Sequence, residues 1–156
     1  MTSVNHDPQC EASCHCGAVK LILPEIPKIL NECRCSLCFK YGALWAYPPR
    51  NKVSIINNSA SSTVDVNYYC WGDRNTNFYR CNQCGCVTHW LSVKRLDDDK
   101  STGLMGVNCR MLKSEVVQTI RWQVTTGPEL DHLFFDTSLY SDDMSLRENT
   151  KEGTSL

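Results

Sequence analysis

Nine consecutive residues constrain this chain more than any others: Glu32-Cys33-Arg34-Cys35-Ser36-Leu37-Cys38-Phe39-Lys40. They place three cysteines in the spacing C-x-C-x-x-C, a density that serves either oxidised crosslinks or a metal. In the C-x-C step an extended backbone sends both sulfurs to one side, because side chains repeat every two residues in a strand. The C-x-x-C step lets a tight turn present two thiolates to one tetrahedral ion. Three sulfurs from one short loop leave a fourth position open, and an open position separates a reactive zinc site from a purely structural one.

Composition favours the metal. The chain has 11 cysteines, an odd number, so a closed set of disulfides leaves one thiol over. Met1 to Glu11 has neither the basic start nor the apolar run of a secretory signal. The expected setting is therefore cytoplasmic, where disulfides are disfavoured and clustered cysteines bind metal. The competing reading is a mature secreted domain whose signal has been cut off. With 156 residues and 42% apolar side chains, one globular domain with its own core is expected. The formal net charge is −1 with no concentrated basic run, so nothing argues electrostatically for nucleic acid or an anionic membrane. No apolar stretch reaches the roughly 18 residues of a membrane span.

In chain order, residues 1–11 read as a flexible leader with Cys10 as a free thiol. A second C-x-C, Cys14-His15-Cys16-Gly17, runs into Val19-Lys20-Leu21-Ile22-Leu23, whose alternation predicts a strand ended by Pro24 and Pro27. His15 should point away from its two neighbours and reads as a solvated or hydrogen-bonded histidine. Tyr41 to Pro49 reads as a short apolar strand closed by two prolines, and Lys52 to Asn57 as another. Asn58 to Ser62 is a loop by composition. Thr63 to Tyr69 alternates as a half-buried antiparallel strand with Val64, Val66 and Tyr68 on one face. Cys70 to Asn75 has turn chemistry, and Thr76 to Arg80 is strand-like.

That strand feeds Cys81-Asn82-Gln83-Cys84-Gly85, a zinc-knuckle pattern whose sharp turn needs glycine just past the second thiolate. Cys86 to Leu91 is a further strand, Asp97 to Lys100 a solvated acidic turn, and Leu104 to Arg110 a last core segment. Ser114 to Ile120 suggests one or two helical turns and Arg121 to Thr125 a strand. The expected organisation is a zinc-binding domain over residues 12–126, then an acidic tail over 127–156, partly disordered. That tail holds seven acidic and two basic residues, and Leu133-Phe134-Phe135 is its one candidate for docking on the body.

Two partitions of the cysteines are open. A single zinc ribbon would join Cys35 and Cys38 to Cys81 and Cys84, stranding Cys14 and Cys16. The preferred partition joins Cys14 and Cys16 to Cys81 and Cys84 as a closed four-thiolate site. Cys33, Cys35 and Cys38 then hold a second zinc with one vacancy. Cys10, Cys70, Cys86 and Cys109 have no assigned role.

These motifs carry a resemblance. C-x-C-G at Cys14, C-x-C-S-x-C at Cys33 and C-x-x-C-G at Cys81 resemble the signature of the glutathione-dependent formaldehyde-activating enzyme family, which shares its domain with centromere protein V. The resemblance covers roughly residues 10 to 125. It implies a mainly β fold of small coiled antiparallel sheets, the β-tent. It also implies a structural zinc on the first and third motifs, and a catalytic zinc on the middle one. The implied activity is that of a carbon–sulfur lyase joining formaldehyde to glutathione. Fold does not guarantee that activity, because function lives in the site.

Three thiolates make zinc electron-rich, poor at acidifying water and well suited to a sulfur ligand. The expected substrate is thus a small-molecule thiol or its adduct with a small carbonyl compound. Arg34, Lys40 and Arg110 are candidates for substrate carboxylates, with an ordinary surface role the stronger reading for each. Trp45, Tyr47 and Trp90 are candidate pocket walls, or core. His89 is a candidate proton shuttle, with a hydrogen-bonded structural role the stronger reading. The alternative function is a non-catalytic zinc module that binds protein, as in centromere protein V.

Overall fold

A computed structural model describes residues 7–57, 66–72, 74–93 and 104–125, and the backbone of 146–147. The chain is mainly β. A three-stranded antiparallel sheet is built from β1 (Glu11–Ser13), β2 (Val19–Ile22) and β5 (Ser54–Asn57), with β2 in the middle. The expected alternation holds in β2: Val19 and Leu21 are fully buried, and Lys20 pairs with Glu11 at 2.8 Å on the other side.

The larger sheet has eight strands. In spatial order they are β11 (Leu146–Arg147), β10 (Arg121–Thr125), β3 (Ile29–Cys33), β4 (Trp45–Ala46), β9 (Met105–Asn108), β8 (Val87–Ser92), β7 (Thr76–Cys81) and β6 (Val66–Cys70). Every pairing but one is antiparallel. The exception is β10, which runs parallel to β3, with Gln123 opposite Asn31 and Thr125 opposite Cys33.

Register gives this sheet two distinct faces. Leu30, Ala46 and Val107 turn to the main core, which also takes Val19 and Leu21 of β2 and therefore lies between the two sheets. The residues one step out of phase, Asn31, Trp45, Gly106, Trp90 and Phe78, share the opposite face with Cys33. There Trp45 and Trp90 form a second buried cluster with Cys38 and Ala43.

Several local expectations are corrected. Tyr41 does not open a strand; it closes α1 (Ser36–Tyr41), and β4 is reduced to two residues. Tyr68 and Tyr69 are 56% and 45% exposed, on the last described strand at that end of the sheet. Cys10 is not on a loose leader: it ends a 3-10 turn over Pro8–Cys10 and is buried in the main core. Leu146–Arg147 pairs with β10 inside a stretch expected to lack structure. Val64, the 58–62 loop, the 97–100 turn and Leu133 to Phe135 lie outside the described residues. No helix among the described residues is long and apolar enough to cross a membrane.

Candidate functional site

Two knuckles face each other across the gap between the sheets. The first is the turn after β1, where the Cys14 carbonyl accepts from the Gly17 N–H at 3.0 Å. The second is the turn between β7 and β8, where the Cys81 carbonyl accepts from the Gly85 N–H at 2.9 Å. Gly85 sits at φ 76°, the left-handed conformation that the knuckle pattern required. Together they bring the Sγ atoms of Cys14, Cys16, Cys81 and Cys84 within 4.8 Å of one another. Cys16 Sγ lies 3.6 Å from both Cys14 Sγ and Cys81 Sγ. Four sulfurs about 2.3 Å from a tetrahedral zinc stand about 3.8 Å apart, so the donor set and spacing fit that ion.

Backbone donors already serve this cluster: the Val19 N–H points to Cys14 Sγ at 3.3 Å. Burial works against a charge on Cys84, but the N–H groups of Cys16 and Cys86 and the Cys81 thiol hold its pKa down at about 6. This settles the partition in geometry: the first and third motifs share one cluster.

The middle motif forms the second. Cys33 ends β3, Cys35 caps α1, and Cys38 lies in its first turn. The three Sγ atoms lie within 4.8 Å of one another, and among the described residues no fourth ligand joins them. The C-x-x-C step is one helical turn, not an open loop. Cys35 stands where serine or aspartate usually caps a helix, and its sulfur accepts the Cys38 N–H at 3.4 Å. Hydrogen bonds from the Cys33 and Cys38 thiols hold Cys35 far below the usual thiol range, helped by the backbone N–H groups of Cys38 and Leu37 against burial. The same contacts push Cys38 far up, with Cys33 first, then Cys35, then burial. The surroundings of Cys35 thus favour its thiolate, and a dication would gather the other two sulfurs by displacing their protons.

No family model and no curated protein matches the chain. Among solved structures it is similar to the crystal structure of a Rhodobacter sphaeroides protein from a structural-genomics programme. The two share 23% sequence identity and a TM-score of 0.53, over 72% of this chain and 98% of that one. What they share is the fold.

The other candidate residues divide. Trp45 is buried and donates its indole N–H to Cys38 Sγ at 3.3 Å, so it is both core and the wall of the three-sulfur cluster. Its ring lies 6.1 Å from Phe78, which lies 5.9 Å from Tyr41, and Tyr47 lies 6.0 Å from Trp90. An aromatic wall therefore flanks the sulfurs. Arg34 is engaged with Glu32 at 3.1 Å, and Lys40 is exposed on α1. Arg110 donates from Nε to the Gly42 carbonyl at 3.1 Å and lies over the Trp122 ring at 5.4 Å.

His89 is turned to the face opposite Trp90. It is 2% exposed, stacked on Tyr79 at 4.7 Å, and bonded through Nδ1 to Thr88 Oγ1 at 2.9 Å. Burial first, and then Arg50, lowers its pKa to about 4, so it is a neutral structural histidine.

Three contributors carried no sequence signal. Gly106 leaves room for Trp90, because a Cβ there would stand 2.0 Å from the indole Nε1. Asn108 accepts the Leu44 and Arg110 N–H groups and donates to the Val87 carbonyl, pinning the segment beside the wall. Asn31 lies buried on the same face as Cys33. Phe78 and Tyr41 stood in predicted strands, but nothing in a period-two pattern marks which aromatic will face a cysteine loop.

Proposed function

We propose that this protein is a zinc-dependent carbon–sulfur lyase or transferase of the formaldehyde-activating type, making or breaking the adduct of a small-molecule thiol with a small carbonyl compound. The observation that carries the reading is the contrast between the clusters: four mutually close sulfurs in one, three beside an aromatic wall in the other. Four thiolates saturate a tetrahedral ion, whereas three leave it one position for a ligand from outside. Zinc held by Cys33, Cys35 and Cys38 would supply a soft, electron-rich acceptor that keeps a substrate sulfur ionised near neutral pH.

The chain's own groups would do the rest. Trp45 and the Cys38 N–H hold two of the sulfurs in place by hydrogen bonds. Trp45, Trp90 and Phe78 keep bulk water from one side of the reacting atoms. In the forward direction the substrate thiolate attacks the carbonyl carbon, a C–S bond forms, the carbonyl pair moves to oxygen, and that oxygen takes up a proton. The reverse breaks the same bond. A reducing, cytoplasmic setting suits a chain whose cysteines are all free thiols. The partner is a small thiol, without nucleic acid or membrane.

The test begins with metal content. The wild-type chain should hold two zinc ions. Cys35→Ser should hold one, melt within a few degrees of wild type, and lose thiol–carbonyl exchange measured by NMR with formaldehyde and glutathione. A second reading, a zinc-stabilised protein-binding module, is favoured by Phe39, 71% exposed on α1, and by the open Tyr68 and Tyr69. It takes over if wild type holds one zinc and Cys35→Ser changes stability alone.

A further inference from the structure

Asn31 is the residue on the cluster face whose chemistry is incomplete. It is 3% exposed, and its Nδ2 donates to the Tyr47 hydroxyl at 2.7 Å. Its Oδ1 is buried with no hydrogen-bond partner. A buried acceptor left unpaired costs stability that an apolar side chain of the same size would not. The only other such atom among the described residues, Trp122 Nε1, belongs to the opposite face.

The surroundings of Asn31 indicate what the acceptor is for. Cys33 follows two residues later in the same strand and on the same face, about 7 Å along β3. Trp45 is directly opposite in register on one side, and Gln123, a second buried carboxamide, on the other. An apolar wall and two amides thus share a face with the first sulfur of the open cluster, with the Tyr47 phenol beyond Asn31. This is how small-ligand sites are built, with mostly apolar lining and a few placed polar groups.

We propose that Asn31 Oδ1 is a substrate-binding acceptor for the hydroxyl group of the thiol–carbonyl adduct. Adding a thiol to a carbonyl places a hydroxyl one carbon from the sulfur, and that hydroxyl is the donor the free thiol lacks. The site therefore distinguishes the hydroxylated adduct from a plain thioether or alkyl thiol. This inference rests on the zinc–thiol reading of the three-sulfur cluster.

The test is calorimetric titration of the zinc-loaded full chain with S-hydroxymethylglutathione, held in equilibrium with formaldehyde and glutathione, and with S-ethylglutathione, in wild type and in Asn31→Leu, alongside thermal melting of both proteins. The ratio of the two dissociation constants should favour the hydroxymethyl adduct about tenfold more in wild type than in the variant. The melting temperature of the variant should equal or exceed that of wild type. If Asn31→Leu does not purify folded, the same ratio is read in Asn31→Ala. An unchanged ratio overturns the proposal, as does a variant that melts lower and loses both ligands alike. Failure of glutathione and of both derivatives to bind wild type overturns the zinc–thiol reading beneath it.

Discussion

His89 shows how one residue's surroundings decide its role. Its folded pKa of about 4 lies below the unfolded value of 6.5, so the fold favours the neutral ring. A depressed histidine costs nothing above pH 6.5. As pH falls toward 4 the unfolded chain takes up the proton first, and stability is lost. Between pH 6.5 and 5 that loss should amount to about 2 kcal/mol in urea unfolding, and His89→Gln should remove it from the difference between the two pH values. Thiolate protonation weakens both proteins alike and so cancels. Gly106 offers a second case. Gly106→Ala should cost about 1–3 kcal/mol, because the new methyl displaces the Trp90 indole, and it should change the near-ultraviolet circular dichroism of that ring. The strand placement of His89 was legible in its alternating neighbours. Asn31 was not, because one amide between leucine and glutamate breaks no pattern that a sequence displays.

At the scale of elements, β2, β7, β8 and β10 were legible because a period-two pattern bounded by turn residues is a local property. The helix α1 was not, since six residues are too few to show a 3.6-residue period and the cysteine run that holds most of it read as a short loop. Its end is nonetheless well determined. Gly42 adopts φ 60°, and its N–H bonds back to the Cys38 and Phe39 carbonyls. A Cβ there meets nothing within 4 Å, so Gly42→Ala should carry only the backbone cost, about 1 kcal/mol by denaturant unfolding. Zinc occupancy of the three-sulfur cluster should survive. The parallel pairing of β10 with β3 was equally hidden, because neither strand records its partner in its own residues.

For the whole molecule, the four-sulfur cluster joins the small sheet to the large one through residues 65 positions apart in sequence, Cys16 and Cys81. Cys81→Ser should therefore lower the zinc content from two to one and cost more than about 4 kcal/mol, read by thermal melting with and without a chelator. Cys35→Ser should cost far less, since its cluster stands on one continuous stretch of chain. That the first and third motifs share one sulfur cluster was legible, because knuckle spacing is a chemical constraint and survives without any knowledge of the fold. The aromatic wall beside the second cluster was legible only as candidate residues, since which face each ring takes depends on register across five strands.

The Arg34 N–H reaches the Thr125 carbonyl at 2.7 Å, and Thr125 stands opposite Cys33. The rim of the three-sulfur cluster is thus held by a segment made about ninety residues after it, a distance that folding must span before the pairing is rewarded. A chain ending at Ile120 would keep all four sulfurs of the first cluster, Cys14, Cys16, Cys81 and Cys84, but would lack the strand that borders Cys33. Such a truncation should spare the clasp between the sheets and loosen the rim of the second cluster.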